Sequence, residues 1–184
     1  RPFFLYLAHM YVHVPLFVPQ QFLERSNNGA YGGAVECIDW SMGILMDQLE
    51  QLGLSDNTLI VFTSDNGSRA RDEGGSNQPC RGTKATTWEG GQRVPCVMRW
   101  PNKIASGTVS EALVTSMDFF PTFSKLAGES VSTERIIDGN DISGLMFDET
   151  NSMGNDVFHY YAQNTLEAIR VGDWKLHFRK GDTE

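Results

Sequence analysis

The chain has 184 residues, of which 40% are hydrophobic and 21% are charged, and its formal net charge is −8. This size and composition are typical of one globular domain, or one domain with a small appendage, and exclude a disordered chain. The acidic balance argues against non-specific binding to nucleic acid or to an acidic membrane surface. The sequence contains no run of about 18 apolar residues, so no transmembrane helix is predicted. The negative net charge does not exclude an anionic substrate, because binding of an anion depends on a local cluster of cations and not on the charge of the whole chain.

The first segment, residues 3–8, is an apolar run that predicts a buried strand. It leads into a loop in which Pro15 and Pro19 forbid a regular ladder or helix. His9 and His13 lie in this loop, directly beyond the predicted strand. A lone histidine in a loop is usually a surface residue, and two of them directly after a buried strand make a site a stronger alternative. Because the sequence opens inside a predicted strand, we expect much of the fold to lie upstream.

A helix is predicted over residues 30–52, where apolar residues recur at spacings of three and four, and Gly53 is the expected stop. The apolar, β-branched run at residues 58–63 then predicts a second buried strand. A right-handed crossover would make the two strands parallel, with their carboxyl ends at one edge of the sheet. We therefore predict an α/β fold with a mostly parallel sheet flanked by helices.

Asp65 and Asn66 directly follow the second predicted strand. In open parallel sheets, ligands collect just beyond the carboxyl ends of the strands, here beside the loop of His9 and His13. A carboxylate and an amide carbonyl oxygen both suit a hard divalent cation. The sequence Asp-Asn-Gly is also a common turn after a strand, so a turn and a metal site both remain open at this point.

Residues 68–92 show no helix or strand pattern and are rich in glycine and polar residues. Long loops of this kind in compact domains are usually functional or disordered, and Trp88 favours an ordered loop. Arg81 and Lys84 are the cations that this loop brings within reach of the predicted site. The alternative is that both are solvated surface charges.

The rest of the chain looks structural. A strand is predicted over residues 93–100, a short strand over 112–114, and a helix from Ser116 or Asp118 to about Ala127. Near the end, three short strands are predicted, the last two of which flank Gly172-Asp173 as an antiparallel hairpin. We therefore expect an α/β domain over residues 1–150 and a small antiparallel subdomain over 151–184. His159 and His177, on these strands, are interpreted as packing or surface residues.

Several stretches match, in order, those of sulfatases of the alkaline-phosphatase superfamily. They are Phe3-Phe4-Leu5-Tyr6-Leu7-Ala8-His9 with His13-Val14-Pro15, Tyr31-Gly32 with Ile38-Asp39, residues 56–67, residues 81–84 with 88–95, and Met117-Asp118 with Pro121-Thr122. Each stretch is short, but the ordered set is specific, and it spans most of residues 2–139. The chain resembles the later part of such an enzyme. Its ending around Tyr160-Tyr161 and Trp174-Lys175 is similar to the N-acetylgalactosamine-6-sulfatase and arylsulfatase A branch.

The resemblance implies roles for individual residues. Asp65 and Asn66 would ligate a calcium ion, and Lys84 would contact the sulfate and the leaving oxygen. His13 matches the active-site histidine that touches the substrate sulfate, so His13 and Lys84 are the catalytic candidates. His9 precedes that position and is a further substrate-binding candidate.

The family nucleophile is absent from the sequence. Sulfatases oxidise a Cys or Ser to formylglycine within Cys/Ser-x-Pro/Ala-x-Arg, and neither Cys37, Cys80 nor Cys96 lies in such a motif. Their odd number and spacing also predict no metal site and leave the disulfide state open. The paired Asp ligands of the family are missing too. We expect both features upstream of this chain, so the 184 residues alone should be inactive.

The resemblance thus implies part of an exported sulfuric ester hydrolase, periplasmic, extracellular or lysosomal, that acts on an aryl or carbohydrate sulfate. One alternative is a phosphomonoesterase or phosphonate hydrolase of the same superfamily. Another is a non-catalytic relative that binds sulfated glycans.

Overall fold

The computed structural model describes residues 1–70, 74–132, 134–148 and 154–178. The helices in these ranges are α1 (Gln20–Arg25), α2 (Gly29–Gln51), α3 (Glu89–Gln92), α4 (Phe119–Leu126) and α5 (Ser143–Met146). The strands are β1 (Ile60–Thr63), β2 (Cys96–Arg99), β3 (Val157–Ala162), β4 (Thr165–Val171) and β5 (Trp174–His177). Single 3-10 turns lie at Ser55–Asn57 and Ser116–Asp118. No helix in the described ranges combines the length and the apolar character that a membrane crossing needs.

The chain divides into two compact units. The first contains Arg1–Asp56 and Ser64–Pro95, and the second contains Asn57–Thr63 and Cys96–Glu184. All five residues that the sequence predicts to form the site belong to the first unit. The predicted division into residues 1–150 and 151–184 stays a prediction.

Helix α2 confirms the predicted long helix and ends where glycine allows it. Gly53 has a φ of +67°, a left-handed conformation that costs glycine little. Helix α1 packs on the first half of α2, with the ring of Phe22 5.9 Å from that of Trp40. A Cβ on Gly33 would lie 3.0 Å from the carbonyl oxygen of Phe22, so the missing side chain lets the two backbones approach closely.

The prediction of a strand over residues 3–8 is wrong for the described part of the chain, whose two sheets contain only β1–β5. Phe4 is 75% exposed and Tyr6 is 81% exposed. An apolar run prefers an extended backbone, but it becomes a strand only where a neighbouring strand takes up its hydrogen bonds. No described strand does so here, and therefore the predicted parallel pairing with β1 is also not formed.

Strand β1 instead pairs with β2 in an antiparallel ladder, with Ile60 opposite Arg99 and Thr63 opposite Cys96. The predicted strand over 93–100 is confirmed in its central part as β2. Strands β3, β4 and β5 form an antiparallel sheet in that order, which confirms the small terminal sheet. A parallel sheet is not formed among the described residues.

Asp118 is fully buried and organises the second unit. Its carboxylate accepts hydrogen bonds from the backbone N–H of Thr115 (2.6 Å) and of Asn140 (2.8 Å), and from the side-chain amide of Asn155 (2.9 Å). These bonds satisfy the buried charge and tie the start of α4 to two distant loops. Leu113 accepts a bond from the backbone N–H of Asn155 (2.7 Å), and residues 112–114 form a loop where the sequence predicted a strand.

Candidate functional site

A shallow, open cavity of about 360 Å³ lies in the first unit and is lined by His13, Arg69, Thr83, Lys84 and Ala85. It therefore brings together His13 and Lys84, the two residues that the sequence predicts to be catalytic. Arg69 is an addition that sequence reasoning missed. Its position just after Asp65-Asn66-Gly67, in the loop that leaves the metal candidate, was the signal that could have found it.

Two segments of the chain after β1, residues 64–70 and 74–88, meet at this cavity, and their backbones are hydrogen-bonded to each other. The N–H of Lys84 donates to the carbonyl oxygen of Ser68 (2.9 Å). The side-chain amide of Asn77 accepts from the N–H of Ser68 (2.8 Å) and donates to the carbonyl oxygens of Ser68 (2.7 Å) and Gly82 (3.1 Å). These bonds hold the residue before Arg69 against the loop that carries Lys84.

Close glycine contacts complete this packing. The N–H of Gly67 donates to the carbonyl oxygen of Gly91 (3.0 Å), and a Cβ on Gly67 would lie 1.8 Å from the carbonyl oxygen of Gly90. A Cβ on Gly90 would lie 2.1 Å from the carbonyl oxygen of Gly82. Any side chain at Gly67 or Gly90 would push these backbone segments apart. The glycine-rich composition of the loop therefore has a packing cause.

The two predicted cations of this loop have different surroundings. The guanidinium carbon of Arg81 lies 4.2 Å from the centre of the Trp88 ring, a cation–π contact. Arg81 is not among the residues that line the cavity, whereas Lys84 is. The packing of Trp88 therefore separates two residues that the sequence pattern could not distinguish.

The hydrogen bonds of His13 determine its tautomer. Its Nδ1 lies 2.7 Å from the carbonyl oxygen of Val14. A carbonyl oxygen only accepts, so Nδ1 carries a proton and the neutral ring keeps its lone pair on Nε2. The loop around it is closed by the hydroxyl of Tyr11, which donates to the carbonyl oxygen of Phe17 (2.5 Å). His13 thus offers one ring nitrogen that is not used by this loop contact.

His9 is arranged in the opposite way. Its Nδ1 accepts from the N–H of Tyr11 (3.3 Å), and its ring centre lies 5.3 Å from that of Tyr11. The neutral ring therefore carries its proton on Nε2. His9 is exposed and is not one of the cavity residues, so its role as a substrate-binding residue stays a prediction.

Asp65 and Asn66 follow β1 after one intervening residue and do not line the cavity. Asp65 is exposed and Asn66 is half-buried, with its carbonyl oxygen accepting from the Ser64 hydroxyl (3.0 Å). No group of three or more His, Cys, Asp or Glu residues that could hold a metal occurs in the described part of the chain.

These donors fit a calcium ion in kind but not in number. A carboxylate and an amide oxygen are hard ligands, but calcium takes roughly six to eight oxygens. Asp65 and Asn66 could supply a part of such a site, and other ligands would have to come from elsewhere. Their role as metal ligands stays a prediction.

The cavity has the chemistry of an anion site. Arg69 and Lys84 bring cationic side chains and His13 can add a third donor, and the lining residues within the described ranges include no acidic one. Sulfate, phosphate and carboxylate groups are the anions that such clusters bind through charge-assisted hydrogen bonds.

Comparison with known protein families identifies the chain. A sequence model of the sulfatase family matches residues 1–129, and one described as N-sulphoglucosamine sulphohydrolase, C-terminal, matches residues 83–178. Rattus norvegicus steryl-sulfatase is 40% identical over 183 residues, which cover 96% of this chain and 31% of that protein. Mus musculus N-acetylgalactosamine-6-sulfatase is 45% identical over 179 residues, which cover 96% of this chain and 34% of that protein. The chain thus spans about a third of the length of these relatives.

Solved structures give the same assignment. The PsFucS1 sulfatase from Pseudoalteromonas sp. superposes with a TM-score of 0.85 at 29% identity, covering 91% of this chain and 34% of that one. The structure of Ps i-CgsB in complex with k-i-k-neocarrahexaose gives a TM-score of 0.78 at 30% identity, covering 90% and 38%. These neighbours imply the alkaline-phosphatase-like α/β fold. The parallel sheet of that fold is not formed among the described residues of this chain. The chain belongs to the sulfatase family, as its ordered motifs predicted.

Proposed function

We propose that this chain is the later part of a sulfuric ester hydrolase that cleaves sulfate monoesters of sugars or aromatic alcohols. The observation that carries the proposal is the cavity in which His13 and Lys84 meet, although they are far apart in the sequence. Family membership supports the reaction class, and the cationic lining supports an anionic substrate.

The two side chains would act on different parts of the ester. A sulfate ester is negatively charged and repels a nucleophile, so the ammonium group of Lys84 would lower that repulsion. Negative charge also develops on the departing oxygen. Lys84 or a protonated His13, acting through Nε2, could stabilise that oxygen or give it a proton. The bond from Nδ1 to Val14 would keep Nε2 available for this step.

The remaining groups would come from outside the residues seen here. We propose that Asp65 and Asn66 supply oxygen ligands to one calcium ion, with further ligands and a formylglycine nucleophile in an N-terminal part of the same fold. When bound, the cation would neutralise the sulfate and polarise its S–O bonds. We also propose that the protein is exported, as the resemblance implies, and that it therefore meets its substrate outside the cytoplasm.

The substrate class is proposed from the named relatives. One is an N-acetylgalactosamine-6-sulfatase, and one solved neighbour is bound to a neocarrahexaose. A sulfated carbohydrate is consistent with a cavity that is shallow and open, since such a site can admit one residue of a longer sugar chain.

The test uses the longer protein that contains this chain, with 4-nitrophenyl sulfate and 4-nitrophenyl phosphate as matched esters. We expect sulfate hydrolysis to exceed phosphate hydrolysis, and Lys84→Ala to lower kcat/KM for the sulfate by roughly 10²–10³. Lys103→Ala, an exposed lysine in the second unit, is the control and should keep the wild-type rate. The 184-residue chain alone should show no turnover.

Each other result would point elsewhere. Faster phosphate hydrolysis would indicate a phosphomonoesterase. Binding of sulfated sugars without any turnover would indicate a non-catalytic relative. Calcium titration of the longer protein, with Asp65→Ala as the comparison, tests the metal; unchanged calcium affinity in that variant would reject Asp65 as a ligand.

A further inference from the structure

We propose that Thr86 is a positioning residue for Lys84, because its hydroxyl closes the turn over residues 83–86 and so sets the direction of the ammonium group. The inference rests on the proposed function and assigns a role to a side chain outside the predicted site residues. It predicts that Thr86 contributes to the reaction rate only through Lys84.

Lys84 occupies the second position of a four-residue turn. The backbone N–H of Thr86 donates to the carbonyl oxygen of Thr83 (3.1 Å), the bond that is typical of such a turn. The third residue, Ala85, has a φ of +70°. A positive φ at this position is the signature of a type II turn, where glycine or asparagine is favoured. Alanine adopts this conformation only at a cost in strain, so contacts around the turn must hold its shape.

The hydroxyl of Thr86 supplies two of these contacts. It donates to the carbonyl oxygen of Thr83 (2.7 Å) and accepts from the backbone N–H of Thr83 (3.3 Å). A hydroxyl group can make both bonds because it has one proton and two lone pairs. The bonds hold the fourth residue of the turn against the first, with Lys84 and Ala85 between them. Thr83, Lys84 and Ala85 line the cavity, whereas Thr86 does not.

The two ends of the turn are fixed by backbone packing. A Cβ on Gly91 would lie 2.4 Å from the carbonyl oxygen of Thr86 and 2.5 Å from that of Thr83, so both ends lie directly on the glycine. The side-chain amide of Gln92 also donates to the carbonyl oxygen of Thr86 (3.0 Å). These contacts place the turn in the loop, and the hydroxyl bonds determine its internal shape. Loss of the hydroxyl should therefore redirect Lys84 without displacing the whole loop.

The direction of Lys84 matters most in the transition state. In the proposed reaction its ammonium group stabilises the negative charge that develops on the departing oxygen. Displacing such a group by about 1 Å can cost roughly 10²-fold in rate. Because this interaction is made mainly in the transition state, its loss should lower kcat more than it raises KM.

The experiment measures kcat and KM of the longer protein on 4-nitrophenyl sulfate. Thr86→Val keeps the branched shape and removes the hydroxyl, and we expect kcat/KM to fall roughly 10- to 100-fold, chiefly through kcat. Thr86→Ser keeps the hydroxyl and should stay within about threefold of the wild type. A loss in Thr86→Ser as large as that in Thr86→Val would show that the methyl group matters and not the two hydrogen bonds, and would overturn the inference.

Thr108→Val is the matched control. Thr108 is exposed and lies in the second unit, and its hydroxyl donates to the carbonyl oxygen of Ala105 (2.9 Å), three residues earlier, as that of Thr86 does to Thr83. The control therefore loses the same kind of bond and should keep the wild-type kcat and KM. Thermal unfolding checks that each variant folds. A comparable loss of kcat in the control would assign the effect to stability and reject the positioning role.

A double-mutant cycle separates positioning from a merely structural role. In the Lys84→Ala background, Thr86→Val should change kcat/KM less than about threefold, because no ammonium group remains to be directed. A loss as large as that in the wild-type background would show that Thr86 acts independently of Lys84 and would overturn the inference.

Failure of the proposed function gives a different pattern. If the longer protein hydrolyses no sulfate ester, the hydrolase proposal is wrong, and the same cycle is measured on equilibrium binding of 4-nitrophenyl sulfate. Binding at least about threefold weaker in Thr86→Val, with no such difference in the Lys84→Ala background, would support the inference. Equal binding by Thr86→Val and the wild type would reject it, and so would the absence of any binding by the wild type.

Discussion

The backbone N–H of Lys84 donates to the carbonyl oxygen of Ser68 over 2.9 Å. Together with the bonds of Asn77, it joins the start of the glycine-rich loop, one residue away from Arg69, to the part of that loop that carries Lys84. These bonds hold Lys84 and Arg69, which are separated in the sequence, close enough to line one cavity. The site therefore depends on a backbone contact as much as on the side chains that do the chemistry.

Asn77 should be the most important uncharged side chain of this junction. Asn77→Ala removes three hydrogen bonds. The N–H and carbonyl oxygen of Ser68 and the carbonyl oxygen of Gly82, which are partly buried, each lose their bond to this side chain. We expect the free energy of unfolding to fall by about 1–3 kcal/mol. Urea titration and kcat/KM of the longer protein measure the effect, and both should decrease.

Asn77→Asp is the matched variant, because it keeps the acceptor for the N–H of Ser68 but turns a carboxylate oxygen, which cannot donate, toward the carbonyl oxygens of Ser68 and Gly82. Two acceptors in contact repel each other, so its loss of stability should be at least as large as that of Asn77→Ala. Wild-type values of both stability and kcat/KM in Asn77→Ala would show that the two segments are held together by other contacts.

Gly67 should tolerate no side chain. The Cβ of Gly67→Ala would lie 1.8 Å from the carbonyl oxygen of Gly90, and this backbone atom cannot rotate away. We expect a loss of about 3 kcal/mol or more in the free energy of unfolding, at the upper end of overpacking effects. Thermal and urea unfolding provide the measurement.

Gly43→Ala is the control for the same chemical change. Gly43 lies in α2, and a Cβ there would meet nothing within 4 Å. Because alanine favours a helix, this variant should gain about 0.5–1 kcal/mol. If Gly67→Ala were as stable as Gly43→Ala, the close approach of the two loop backbones would be refuted.

The two histidines of the first loop should differ in their effect on catalysis. His13 lines the cavity and His9 does not, so His13→Ala should lower kcat by roughly 10²–10⁴, the range for loss of a general acid or base. His9→Ala should have a much smaller effect. Steady-state kinetics of the longer protein compare them, and thermal unfolding checks that both variants fold.

Both histidines are exposed, so neither substitution should shift the unfolding midpoint greatly. A larger loss of kcat in His9→Ala than in His13→Ala would reverse the assignment of the catalytic histidine.

Asp141 should make part of the stability depend on pH in acid. Burial alone would raise the pKa of this carboxyl, but the bonds from Lys125 and Ser143 outweigh it and lower the pKa below its ordinary value. A lowered pKa in the folded state means that the unfolded chain binds protons first as the pH falls. The contribution of Asp141 to the free energy of unfolding is therefore complete above the ordinary pKa of an aspartate, about 4, and is lost as the pH falls through the lowered pKa.

The expected size is small, because the side chain of Lys125 is 62% exposed. Asp141→Asn keeps an acceptor for the N–H of Ser143 and should cost less than about 1 kcal/mol at neutral pH. Lys125→Met should cost a similar amount. Unfolding midpoints of variants and wild type should converge at acidic pH, and a gap that widens in acid would contradict the lowered pKa.

Local patterns were sufficient for the elements whose signal lies in neighbouring residues. The spacing of apolar residues predicted α2 and Gly53 as its stop, and Gly172-Asp173 between two short runs predicted the antiparallel pairing of β4 with β5. The ordered motifs also identified the family, because each one reflects a local backbone or site requirement. Residues 3–8 show the limit of this reasoning: an apolar run has an extended preference, but a strand also requires a partner.

Only the tertiary structure decided which polar residues share a surface. Arg69, Arg81 and Lys84 have similar charges in similar loop sequence, and nothing local distinguishes them. The contact of Arg81 with Trp88, and the bond between Lys84 and Ser68, place Lys84 and Arg69 at the cavity with His13 and direct Arg81 elsewhere. Neither contact is between neighbouring residues of the chain, and the bond between Lys84 and Ser68 joins separate segments, so both depend on packing beyond the local sequence.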